Sequence, residues 1–324
     1  MRVFALSGTQ ILGEHIAREM SAGLDPIEER DFPGGEHKSR PLVSVRGEDV
    51  YVIESLNATA RMSPAERLVR LLFFLATCRE NGALRITAIV PYLAFMRKEV
   101  QTKPRDPVTS KYLAALFEAV KPDMVVTIEA HNKAAFQNAF RCPTLHLDMY
   151  RQFALKLDDL TPSANLVFLS PDSGGAKRVE LLRQAYATER HTTPRLALME
   201  KHRSDDLVTG DLFAGAVEGA DVVIFDDIIS TGGTMLRAAE AASSRGARQV
   251  FAMAVHGLLS AGSSGLLTAP SVNRVVLSDT TAPFPLDTSS DKTLETVSCA
   301  PLLAETIKRL HGGGSIHRLL APTE

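Results

Sequence analysis

Short runs rich in Val, Ile and Leu alternate with runs of helical period along nearly the whole chain, and this alternation restricts the fold more than any other feature. Strand signals fall at 2–6, 50–54, 86–90, 124–128, 166–169, 195–199, 222–225, 250–255, 274–277 and 296–299. Helical runs lie between them, at 8–20, from 64 to a stop at Gly82, and at 109–120, 176–186, 235–245 and 302–310. One start is well marked. Ser63-Pro64-Ala65-Glu66 supplies an N-cap, a proline for the first turn and a capping-box glutamate. Strands separated by helices imply an α/β fold with mainly parallel central sheets flanked by helices. The scheme runs twice. A polar, proline-containing stretch at 151–163 is the expected divide, giving regions 1–152 and 153–301. The glycine-rich tail at 311–324 is expected to be flexible.

The stretch 222–234 carries the sharpest chemical signal. Val222-Val223-Ile224-Phe225 is a buried strand, and Asp226 and Asp227 come at its carboxyl end. Then follow Ile228 and Ile229, the loop residues Ser230, Thr231, Gly232, Gly233 and Thr234, and a helical run closed by Gly246. A strand, a small-residue loop and a helix start form an anion site, because unpaired backbone N–H groups and the helix dipole converge there. Acids pointing into that loop would repel a phosphate. They suit a neighbouring task, accepting hydrogen bonds from sugar hydroxyls or holding Mg²⁺ indirectly, so sugar phosphate fits better than plain phosphate. The bland alternative is a small-residue turn with two solvated acids.

Composition sets limits on the rest. The chain has 324 residues, long enough for two domains, and a net charge of −2 that gives no support to nonspecific nucleic-acid binding. Cys78, Cys142 and Cys299 lie too far apart for metal-ligand spacing, and their odd number opposes a disulfide framework, so a cytoplasmic setting is expected. No apolar run reaches the length of a membrane span. Asn57-Ala58-Thr59 matches a glycosylation sequon and is read as chance. Neither a GxxxxGK[ST] loop nor a GxGxxG fingerprint is present.

Five further segments stand out, each with a plain alternative. Phe32-Pro33-Gly34-Gly35-Glu36 is a turn, and nothing more is needed to explain it. The segment 92–103 follows a strand and carries Arg97, Lys98, Glu99 and Lys103, with Arg105 beyond; it is either a polyphosphate site or a solvated charge run. His131, after Glu129 at another strand end, is a ligand or a structural hydrogen bonder. Ser170-Pro171-Asp172-Ser173-Gly174-Gly175 places an acid and two glycines before a helix, which suits a metal or pyrophosphate as well as a capped helix start. In Glu200-Lys201-His202-Arg203 the two outer cations face one way on an extended chain, or form an exposed basic turn.

Taken in order, these motifs resemble those of the ribose-phosphate pyrophosphokinases, the phosphoribosyl pyrophosphate (PRPP) synthetases. The 226–234 stretch resembles the ribose 5-phosphate signature of the type I phosphoribosyltransferase fold, and 170–175 resembles the family's Ser-Pro-Asp-x-Gly-Gly. The chain departs from the family at Gly34, where an aspartate is usual, and at Lys98, Glu99 and Val100, which replace glutamine, aspartate and arginine. The resemblance implies two phosphoribosyltransferase-like domains, with the helix 302–310 packing back on the first. It implies transfer of pyrophosphate from Mg-ATP to ribose 5-phosphate, giving PRPP and AMP. Phe32, Glu36, Arg97, Lys98, Lys103 and His131 would bind ATP. Asp172, Asp226, Asp227 and the 230–234 loop would bind ribose 5-phosphate. His131 and Asp172 would hold Mg²⁺, and Lys201 and Arg203 would act on the transferring group. The implied assembly is a dimer-based homo-oligomer, up to a hexamer, in which one subunit lends its Phe32 loop to the next. Three rival readings remain: a noncatalytic synthetase-like regulatory subunit, a transferase that consumes PRPP, and a synthetase with altered nucleotide or sugar choice, suggested by Gly34.

Overall fold

The apolar runs form strands covered on both faces. The structure, a computed structural model, describes residues 1–161, 165–204, 207–281 and 294–320, with the side chains at 201–211, 261, 318 and 320 outside that description. Two units are present. The first holds Met1–Asp148 and Cys299–Leu320, with Thr280 and Thr281; the second holds Met149–Asp279 with 294–298.

In the first unit the chain runs through β1 (Arg2–Ala5), α1 (Gln10–Glu19), β2 (Ile27–Asp31), β3 (His37–Pro41), β4 (Asp49–Ile53), α2 (Pro64–Glu80) and β5 (Arg85–Val90). It continues through α3 (Thr109–Val120), β6 (Met124–Ile128), α4 (Lys133–Ala139) and β7 (Thr144–Leu147). The main sheet has the order β1-β4-β5-β6-β7, with every neighbouring pair parallel. Val50, Val52, Ile86, Ala88, Val125 and Val126 are fully enclosed in it, as expected of strands sandwiched by helices. The Ser63 hydroxyl accepts from the Glu66 N–H at 3.2 Å, and Pro64 opens α2. β2 and β3 form an antiparallel hairpin whose tip is residues 32–36.

The second unit comprises α5 (Tyr150–Leu160), β8 (Leu166–Ser170), α6 (Ala176–Arg190), β9 (Arg195–Ser204), β10 (Leu207–Ala214) and β11 (Asp221–Ile229). It then follows α7 (Gly233–Ser243), β12 (Gln249–Gly257), α8 (Ser264–Thr268), β13 (Arg274–Ser278) and β14 (Leu294–Val297). Its seven strands are ordered β10-β9-β8-β11-β12-β13-β14, all parallel except the antiparallel β9–β10 pair. Alternation of parallel strands and helices is thus present in both units. The polar stretch expected to divide the halves is largely α5, whose Phe153, Ala154 and Leu157 turn inward; Phe153 meets Phe225 at 5.3 Å between ring centroids. Helical spacing hides that apolar stripe among charged neighbours. The units divide instead between Asp148 and Met149.

The chain then returns to the first unit as α9 (Ala300–Gly312) and α10 (His317–Leu320). α9 lies against α1, with Lys308 Nζ donating to the Glu19 carbonyl at 2.9 Å. The tail expected to loosen at 311 therefore begins inside a helix, which stops at Gly313 in the left-handed conformation. Among the described residues no helix is long and apolar enough to cross a membrane.

Candidate active site

Ligands of open parallel sheets bind beyond the carboxyl ends of the strands. In the second unit, β8 and β11 are parallel neighbours, so the 170–175 turn and the Asp226 pair leave the same edge of the sheet. The acids do not follow the strand, as the apolar run 222–225 suggests. They are part of it: β11 continues to Ile229, with Asp226 opposite Ala254 and Ile228 opposite His256. β12 is equally long and supplies ladder partners, which outweighs the poor strand preference of aspartate.

Arg178, in the first turn of α6, reaches back to both acids. Its Nη1 stands 2.9 Å from Asp226 Oδ1 and 3.4 Å from Asp227 Oδ1. Asp226 Oδ1 also accepts the Asp227 N–H at 2.8 Å. One guanidinium thus faces two carboxylates. Burial, then the neighbouring Asp227 charge, push the Asp226 carboxyl up to about 7, with Arg178 pulling the other way. Sequence reasoning missed Arg178, although a signal existed: a cation in a helix's first turn opposes the dipole and needs an acid nearby.

The 170–175 turn is self-supporting. Asp172 Oδ1 accepts the Gly175 N–H at 2.9 Å, and the Ser170 hydroxyl donates to the Asp172 carbonyl at 2.7 Å. After β11 come Ser230, half-buried, and Thr231, exposed; Gly232 caps α7, with Gly233 and Thr234 in its first turn. Gly232 has φ +77°, and a Cβ there would lie 2.8 Å from the Leu266 Cβ. Only glycine meets both demands. The leading N–H groups of α7 are ones a helix cannot pair internally, so this loop is an anion cradle beside an acid pair. Lys201 and Arg203 lie in β9, not beyond its end. The strand runs on past Met199 to Ser204 because β10 pairs with it, Asp211 opposite Lys201 and Val208 opposite Arg203. Their side chains lie outside the described residues.

The remaining candidates belong to the first unit. Phe32 and Glu36 close the β2–β3 hairpin, where the Phe32 N–H donates to the Glu36 carbonyl at 2.8 Å. Arg30 lies over the Phe32 ring, 5.1 Å from its centroid. Gly34, the position where the family usually has aspartate, has φ +95°. Arg97 and Lys103 are exposed. Lys98 is not comparably free: it pairs with Asp106, which also takes the Thr102 hydroxyl and the Lys103 N–H. These contacts, the Lys98 bond foremost, hold the Asp106 carboxyl down to about 2. Asn132 Nδ2 donates to Glu99 Oε1 at 2.7 Å, which joins the 97–106 segment to the turn holding His131. Glu129 is buried at φ +41°, a conformation rare outside glycine and a sign of strain at this strand end. Among the described residues, no three His, Cys, Asp or Glu side chains form a ready metal cage.

Comparison with known proteins gives the same direction along the whole chain. The model for the N-terminal domain of ribose phosphate pyrophosphokinase matches residues 1–120, and that for the phosphoribosyl synthetase-associated domain matches 189–321. A ribose-phosphate pyrophosphokinase of Caldanaerobacter subterraneus is 32% identical over 98% of this chain and 97% of that protein. The chain belongs to the ribose-phosphate pyrophosphokinase family. A second ribose-phosphate pyrophosphokinase, from Agrobacterium fabrum, is 31% identical over 95% of this chain and 96% of its own. The crystal structure of phosphoribosylpyrophosphate synthetase from Mycobacterium smegmatis superposes with a TM-score of 0.86 at 27% identity, covering 97% of this chain and 99% of that one. The family resemblance of the motifs thus extends to full-length relatives and to the fold.

Proposed function

We propose that this pyrophosphokinase-family chain transfers the β,γ-pyrophosphoryl group of ATP to O1 of D-ribose 5-phosphate, giving PRPP and AMP. The observation that carries the reading is the pairing of an Arg178-braced acid pair with the glycine-capped anion loop that follows it on the same strand. The loop of Ser230, Thr231, Gly232, Gly233 and Thr234 takes the 5-phosphate through backbone N–H groups and hydroxyls. Asp226 and Asp227 accept hydrogen bonds from the ribose hydroxyls and fix the ring's orientation. The anomeric hydroxyl then attacks the β-phosphorus, the bond from that phosphorus to the α–β bridging oxygen breaks, and AMP departs. Arg97, Lys103, Lys201 and Arg203 balance charge on the polyphosphate, where position and electrostatics dominate the rate. Phe32 and Glu36 meet the adenine, with the hairpin lent by a neighbouring subunit of a homo-oligomer in the cytoplasm.

Mg²⁺ suits this donor set. It binds through one or two protein groups plus phosphate oxygens rather than a full protein cage, and the Asp172 carboxylate is already oriented by the Gly175 N–H. Asp172 and His131 would hold it, and bound Mg²⁺ would neutralise the phosphate oxygens as charge develops. The first unit takes the ATP side and the second the sugar-phosphate side.

The test is direct. Purified protein is incubated with Mg-ATP and ribose 5-phosphate while AMP and PRPP are followed, with Lys201→Ala in parallel. Equal amounts of AMP and PRPP, lost in the variant, are expected. Folded protein that binds ribose 5-phosphate and forms no product with ATP or other nucleoside triphosphates would overturn the reading.

A further inference from the structure

An ion pair sealed inside the first unit has no part in the chemistry above. Arg67 of α2 and Glu54, just past β4, are both fully buried, with Nε 2.5 Å from Oε1. Every other arm of the pair is used. Arg67 Nη1 donates to the Asn57 carbonyl and to its side-chain Oδ1, at 2.9 and 2.8 Å. Its Nη2 donates to the Thr9 hydroxyl at 2.8 Å, and that hydroxyl donates to Glu54 Oε2 at 3.0 Å. Room for the guanidinium depends on Gly8, where a Cβ would come within 2.6 Å of Nη2.

Such a pair is a poor means of adding stability, because desolvation offsets the attraction and apolar residues of similar size do as well. What it does here is fix the 54–57 segment, and that segment holds others. The Ser55 hydroxyl accepts the Tyr92 N–H at 3.1 Å and donates to the Thr280 carbonyl. The Leu56 N–H donates to the Tyr92 carbonyl at 2.9 Å. Asn57 Nδ2 donates to the Thr281 carbonyl at 3.0 Å. Tyr92 is therefore gripped on both its N–H and its carbonyl, and five residues later the chain presents Arg97.

We propose that Glu54 and Arg67 are positioning residues for the nucleotide side of the reaction: through Ser55 and Asn57 they set the height of the Tyr92–Arg97 segment against the ATP phosphates. This inference rests on the synthetase reading for its kinetic consequence, whereas its structural half stands without it. It also explains the sequon. Asn57 is a buried link in the network, not a surface acceptor for sugar.

The experiment compares wild type with Glu54→Leu/Arg67→Met, an apolar replacement of the pair, and with Ser55→Ala, which cuts the link to Tyr92 and leaves the pair intact. Steady-state kinetics are measured against each substrate, and amide exchange is followed at Tyr92. Displacement of a reacting group by about 1 Å can cost about 10²-fold, so KM for ATP is expected to rise about tenfold or more, with KM for ribose 5-phosphate within about twofold. Exchange at the Tyr92 amide should quicken in both variants. Unchanged exchange and unchanged KM for ATP in Ser55→Ala and the double variant would overturn the proposal. If the double variant does not fold, Thr9→Val, which removes the hydroxyl shared by Arg67 and Glu54, takes its place. If wild type forms no PRPP, the synthetase reading fails, and exchange at Tyr92 still decides whether the pair holds the segment.

Discussion

Two arginines meet carboxylates near the carboxyl ends of strands in this chain, and they do so on opposite terms. Arg67 and Glu54 match one charge with one charge, are 0% and 2% exposed, and have neutral partners for the remaining arms. Arg178 faces two acids, is 13% exposed, and leaves Asp226 at 19% exposure. The first cluster is closed, with nothing left to bind. The second carries excess negative charge where solvent and ligand can reach it. Access distinguishes scaffold from site: a network sealed from solvent holds the chain in place, and an acid pair within reach of solvent can accept from a ligand's hydroxyls.

The contrast can be broken by removing each cation in turn. Arg67→Met strands the Glu54 carboxylate in the interior and should cost about 3–5 kcal/mol in urea denaturation. Arg178→Met should cost far less, since Asp226 can take a proton and water reaches the pair. Equal losses would erase the distinction. On the functional side, Asp226→Asn removes a charged acceptor worth about 1.5–3 kcal/mol, so the dissociation constant of ribose 5-phosphate should rise about 10- to 100-fold by calorimetry. Unaltered affinity would remove the acids from sugar recognition. Gly232→Ala meets both a left-handed backbone and Leu266. It should lose about 1–2 kcal/mol of stability, together with ribose 5-phosphate affinity.

A further effect concerns pH. The native state raises the Asp226 carboxyl to about 7. It therefore holds that proton more tightly than the unfolded chain does. The resulting stability is fully present below the ordinary carboxylate range and is lost as pH rises through about 7. Affinity for the sugar hydroxyls should run the other way and increase as the carboxylate forms. Titrations of ribose 5-phosphate across this interval should show the rise in wild type, with Asp226→Asn as the control that lacks it.

Much of the fold was readable because buried parallel strands are written as apolar runs: 50–54, 86–90 and 124–128 are all strands of the first sheet. The β2–β3 hairpin was invisible, since Ile-Glu-Glu-Arg-Asp and His-Lys-Ser-Arg-Pro show no apolar alternation and are joined across the pair by ion pairs of Glu28 with Lys38 and Arg40. β11 was read four residues short, because aspartates look like the end of a strand when the partner strand is unknown. The loop at Gly232 was legible, as small residues have few other reasons to gather before a helix. Arg67 was not, because on a helix a charged side chain reads as solvated until the element packed over it is known, and Arg178 left only the signal of a cation in a helix's first turn.

The path of the chain has a consequence for how the protein forms. The first unit is not contiguous: α9 lies on α1, and the Leu310 carbonyl accepts from Arg85 at 2.9 Å while His311 meets Asp49 at 2.8 Å. These partners are separated by more than two hundred residues. On a ribosome the whole second sheet is made before the last helix emerges. The earlier half must therefore wait, incompletely covered, while the later half folds. A fragment ending at Asp148 would expose the face that α9 covers, because the helix that seals α1 is made only after the whole second sheet.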